Sequence, residues 1–241
     1  MSTLPPPLRN YRNLMFVIKR RLLFIEEFND KGVDFLKVEL IAVQLRKIIE
    51  AVAYGCVSAC ELGGDKLSDA AIDAYSAQNV FSELEKLDLG FVPRPCSFAV
   101  KGAEKIEEWS ISNRKLPQSQ VFKTANDYTR TYKKLHQYAH EFHPRRTHHL
   151  LHKDGLTRAI AFLRPVKKKL TNSLWQHFIP FGNRALVVDF GERDTKLPEV
   201  FVFSQKDNRA AWPILFLLTE PIDEASRQTR KPAREAKGQC P

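Results

Sequence analysis

Between residues 35 and 60 the apolar side chains Phe35, Val38, Ile41, Ala42, Leu45, Ile48, Ile49, Val52 and Ala53 recur every three or four positions, with Lys37, Arg46, Lys47 and Glu50 at other positions. This is the period of one helix face. A helix of about 28 residues, ~40 Å long, is the spine of a helical bundle and constrains everything that packs on it. Gly63 and Gly64 stop it. Glu39, Gln44, Arg46 and Glu50 are polar groups within the most apolar helix, and Arg46 with Glu50 forms an i, i+4 pair suited to packing against another helix.

The other elements follow from local chemistry. Pro5, Pro6 and Pro7 lead into a helix over residues 8–28, ended by Asn29, Asp30 and Gly32. A third helix is predicted over 69–88, with Ala74, Ala77, Val80, Phe81, Leu84 and Leu87 inward, and a short strand over 97–101 after Pro93 and Pro95. A fourth helix is expected over 124–142, with Tyr128, Tyr132, Leu135 and Ala139 in helical spacing, and Pro144 ends it. A fifth should run over 149–177, kinked or divided at Pro165. The period then changes to alternation, and 184–190 and 199–203 read as an antiparallel hairpin. Residues 212–218 read as a further strand or a short helix. The expected fold is α+β: one domain over 8–220, mainly a helical bundle over 8–177, with a small antiparallel β hairpin over 184–204. The tail 221–241 is basic, without apolar periodicity, and is expected to be disordered.

The chain carries a net charge of +10, and its distribution matters more than its total. Between residues 114 and 169 stand 14 Lys and Arg against Asp127, Glu141 and Asp154, which accounts for the whole excess. A positive segment of this kind attracts phosphate, so nucleic acid is the first partner to consider, an anionic membrane surface or acidic protein the next. The four cysteines, Cys56, Cys60, Cys96 and Cys240, form neither a CxxC pair nor a disulfide framework. Cys56 and Cys60 read as two small buried side chains on one helix face in a reducing compartment. The apolar run 14–18 is too short for a membrane span, and no cleavage site follows it. A cytoplasmic location with no membrane partner is expected.

Six of the seven histidines, His136, His140, His143, His148, His149 and His152, fall in one stretch. His136 and His140 have the i, i+4 spacing of zinc sites, and His143 or His152 could supply a third ligand. Lys133, Lys134, Arg145 and Arg146 make the surround cationic and no Glu stands between the two histidines, so a dication is disfavoured and no metal or cofactor is expected. The alternative chemistry is metal-independent RNA cleavage. An arginine holds the phosphate while a histidine one or two turns away exchanges protons with the 2′-hydroxyl or the leaving oxygen. Arg130 and His136 have that spacing, with Lys133, Lys134, Arg145, Arg146 and His152 as the nucleic-acid-binding groups. Tyr128, Tyr132, Tyr138 and Phe142 interleave with these cations, although Tyr128 and Tyr132 share a face with Leu135 and Ala139 and so read as core.

A helical bundle with Arg130, five residues and then His136 on a late helix resembles the HEPN superfamily, and the segment 39–50 looks like that of uncharacterised bacterial proteins of this class. The resemblance covers residues 8–152 and leaves the hairpin outside. It implies an endoribonuclease of phage defence or a toxin-antitoxin pair, with Arg130 as phosphate clamp, His136 as general acid/base, and a site composed across a homodimer. Thr131 stands where the family ordinarily has Asn, Asp or His. A non-catalytic nucleic-acid or protein-binding module is the competing expectation.

Overall fold

The computed structural model describes residues 5–27, 34–64, 76–86, 92–101, 108–113, 116–139, 152–181, 184–194, 196–204 and 215–216. The expected start of the third helix, the end of the fourth, residues 140–151 with Arg145 and Arg146, and the tail lie outside them.

The long apolar helix is present as α2 (Phe35–Gly63). Asp34 opens it, its carboxylate accepting from the Lys37 amide at 2.9 Å, and Gly64 closes it at φ 83°, a left-handed conformation that costs glycine little. Fourteen of its residues are buried, because α1 (Pro6–Glu27), α3 (Ala77–Lys86), α4 (Ala125–Ala139) and α5 (Lys153–Leu174) all pack on it. Gly55 sets the closeness of α1: a Cβ there would lie 3.0 Å from the Met15 methyl and 3.4 Å from the Tyr11 ring.

Helix α4 starts in a reciprocal cap. Asp127 Oδ2 accepts from the amides of Lys123 and Thr124, while Thr124 Oγ1 accepts from the Asp127 amide. Helix α5 runs undivided through Pro165, where a kink or break is expected from the sequence. Pro165 and Ala161 are both exposed, so the carbonyl that loses its N–H partner faces water instead of the core. The two helices are antiparallel neighbours. The Phe122 amide, just before α4, donates to Ser173 Oγ near the end of α5 at 2.8 Å, and Tyr138 near the end of α4 stacks on Phe162 at 5.5 Å.

The β element is larger than a hairpin. Strands β1 (Arg94–Lys101), β2 (Glu108–Asn113), β3 (Gln176–Phe181), β4 (Arg184–Asp189), β5 (Glu199–Ser204) and β6 (Leu215–Phe216) form one antiparallel sheet in the order β2-β1-β3-β4-β5-β6. The expected hairpin is β4–β5, and the expected short strand is the second half of β1. Strand β3 replaces the last turn expected of the fifth helix: its burial alternates, with His177, Ile179 and Phe181 inward. Pro180 is tolerated there because, among the described residues, β1 pairs with β3 only at Arg94–Phe178 and Pro95–His177. One apolar cluster joins the helices to the inner face of the sheet through Ile179, Phe181, Leu186 and Val188. The fold is α+β.

Polar contacts of Lys19 and Tyr11 fix α1 to the sheet side. Buried Lys19 donates to Asp194 Oδ1 at 2.9 Å and to the Lys196 carbonyl at 3.1 Å, and that ammonium holds the Asp194 carboxyl below the usual range. The hydrogen bond between the Tyr11 hydroxyl and His177 Nε2 is 2.9 Å long and wholly buried.

Candidate functional site

The site begins with the Arg46–Glu50 pair of α2. Glu50 Oε1 lies 3.4 Å from Arg46 Nε, with both side chains about four-fifths covered. Helix α4 supplies the other half. Arg46 Nη2 donates to the Tyr132 hydroxyl at 2.8 Å, and that hydroxyl donates to Glu50 Oε1 at 3.0 Å. The guanidinium carbon also stands 4.7 Å from the centre of the Tyr132 ring. Burial raises the Tyr132 pKa; hydrogen bonding to Arg46 opposes the rise and Glu50 reinforces it. Lys47 closes the outer side of Glu50 at 2.7 Å.

His136, one turn beyond Tyr132, joins this network through Arg46 Nη1, 3.1 Å from its Nδ1. A guanidinium can only donate, so Nδ1 is the acceptor and the proton of the neutral imidazole sits on Nε2. The His136 side chain is exposed. The arginine paired with His136 is therefore Arg46, ninety positions away in the chain. Arg130 is exposed on α4, about 9 Å along the axis and ~120° around it from His136.

The remaining expected residues separate into two groups. Lys133 and Lys134 are exposed and share with Arg130 an arc of about 100° on α4. Tyr132 and His136 lie beyond one edge of that arc, toward α2, and Tyr138 beyond the other, toward α5. His152 is the N-cap of α5 and is exposed, and its side chain makes no capping hydrogen bond. Helix α5 adds the exposed cations Lys153 and Arg158, while its exposed Arg164 and Lys168 border a cleft against α1 and α2. Among the described residues, no three His, Cys, Asp or Glu side chains gather as a metal-holding group.

Tyr128 is core, fully buried between Phe81 and Phe122, with ring centroids at 5.3 and 4.5 Å. Cys56 and Cys60 are buried and unbridged, as their spacing on one helix face predicts. No helix among the described residues is long and apolar enough to cross a membrane.

Two residues have a wider part in the site than the sequence predicts. The Tyr132 ring packs against the core, as its spacing predicts, and its hydroxyl also links Arg46 to Glu50. Arg46 forms the expected ion pair with Glu50 and also reaches Tyr132 and His136; the signal in the sequence is a polar stripe on each of two helices. No family model matches the chain, and no curated protein or solved structure is detectably similar to it.

Proposed function

We propose that this protein binds nucleic acid across the paired outer faces of α4 and α5. The observation that carries this reading is charge density. Two antiparallel neighbouring helices present Arg130, Lys133, Lys134, Lys153 and Arg158 to solvent, and Asp154 is the one exposed carboxylate among their described residues. Such a face gains affinity from every phosphate neutralised and the counterions released with it. Long flexible lysines and forked arginines on rigid helices suit a backbone of varying sequence.

Binding of a labelled RNA oligonucleotide, followed by fluorescence anisotropy, tests it. Reversing Arg130 and Lys133 together to Glu should weaken binding at least ~10-fold and lower the salt slope by about 2. Unchanged affinity and slope would remove the reading.

A second reading, RNA cleavage of HEPN type in bacterial defence or a toxin-antitoxin pair, is favoured by the apposition of Arg46 and His136. A guanidinium beside an exposed imidazole offers a phosphate clamp and a proton-transfer group at one point, with Arg130 as a further clamp on the same helix. Total RNA incubated with the protein in EDTA should then be cut by the wild type and spared by His136→Ala, which still binds. RNA left intact by both proteins would leave the binding reading alone.

A further inference from the structure

A cleft of about 790 Å³ opens between the last turn of α1, the first turns of α2 and the middle of α5. That is within the range of small-molecule sites. Its apolar lining comes from all three helices: Ile41 of α2 and Ile160 of α5 are partly exposed, and Ile25 of α1, Val38 of α2 and Leu163 of α5 form the buried floor beneath them. On α5 the lining residues recur at helical spacing and change in character along the axis, from Ile160 and Leu163 through Arg164 to Lys167 and Lys168. The cleft is thus greasy at one end and cationic at the other.

Its electrostatics are ordered. Glu26 reaches across, taking Arg193 Nη1 at 3.1 Å on one oxygen and facing Lys167 Nζ at 4.0 Å on the other. Arg193 comes from the chain after β4 and lies over the Trp175 ring at 5.7 Å, which holds it at the mouth. Among the described residues the lining carries four cations, Arg164, Lys167, Lys168 and Arg193, against two carboxylates, Glu26 and Glu27, so that lining is positive by two. Among the described residues no aromatic side chain lines it, in contrast to the tyrosines beside the nucleic-acid face.

We propose that the cleft binds a small amphipathic anion, an aliphatic chain of medium length ending in a carboxylate or a phosphate. The aliphatic body lies against Ile41 and Ile160, and the head group meets Lys167, Lys168 and Arg193. Inorganic phosphate alone would leave the apolar half unused, and a neutral alcohol would leave the cations unused.

Calorimetric titration of the full chain with decanoate and with octyl phosphate tests this, beside inorganic phosphate and decanol. At least one of the two amphiphiles should saturate at one per chain, and both controls should bind roughly 10-fold more weakly or less. Saturation by only one amphiphile identifies the head group. Lys168→Glu, at an exposed position that leaves the fold intact, should weaken binding about 10-fold. Ile160→Trp, which fills the apolar end, should abolish it, with circular dichroism confirming the fold. Absence of saturation by both amphiphiles, or an affinity that Lys168→Glu leaves unchanged, or inorganic phosphate binding as tightly as octyl phosphate, would overturn the proposal. RNA binding by the Arg130 and Lys133 double variant is read separately, so the two ideas fail independently.

Discussion

Two tyrosine–histidine joints stand among the described residues, and they differ in water. Tyr11 and His177 meet in a dry interior: both side chains are fully buried, His177 Nδ1 donates to the Leu174 carbonyl at 2.8 Å, and Nε2 accepts from the Tyr11 hydroxyl. Tyr132 and His136 meet through Arg46 at a half-open edge, where the tyrosine is half-buried and the histidine exposed. In the first joint every polar atom is spoken for and desolvation lowers the His177 pKa to about 4. In the second, the pair is bridged by a guanidinium and the imidazole belongs to an exposed residue. The same pair of side chains is a structural rivet in one setting and a solvated contact in the other.

The largest test of this contrast is acid. His177 stays neutral when folded and charges at about 6.5 when unfolded, so between pH 6.5 and 4 the unfolded chain binds the extra proton. Its contribution is fully present above 6.5 and is lost as pH falls to 4, about 3 kcal/mol in all. Urea denaturation at stepped pH should show that slope in the wild type and its loss in His177→Gln. A slope that survives the substitution would show that His177 is not the group responsible.

Next in size is Tyr11→Phe, which strands His177 Nε2 without a donor and should cost about 2 kcal/mol in the same assay. Arg46→Ala removes the hub of the wetter joint and should cost only about 1 kcal/mol, because its partners regain water. A loss as large as that of Tyr11→Phe would make the two joints alike. The smallest effect belongs to Tyr128→Phe. The Tyr128 hydroxyl is buried with no hydrogen-bond partner, so its removal should be neutral or stabilising by up to about 1 kcal/mol in thermal denaturation.

Much of the helical half was legible because its period is local. The apolar stripe of α2, its glycine stop, and the Arg46–Glu50 pair are all written within a few turns of sequence. Strand β3 was hidden because Gln176–Phe181 follows directly on a helix, and only the alternation of His177, Ile179 and Phe181 marks the change. Strand β2 was masked by its polar composition around Trp109. The histidines divide the same way. The cluster of six drew notice through sequence proximity, yet the seventh, His177, is the one locked into the interior, and its partner is 166 positions away. His136 finds Arg46 across 90 positions, a pairing that no local spacing encodes.

The two-residue junction between β1 and β3 also divides the sheet dynamically. Strands β3, β4 and β5 share six-residue registers, and so do β1 and β2, but among the described residues only Arg94–Phe178 and Pro95–His177 join the two groups, and Pro95 has no amide to donate. Amide protons of β1 and β2 should therefore exchange with solvent through a local opening that leaves those of β4 protected, so the sheet opens as two separate cooperative units.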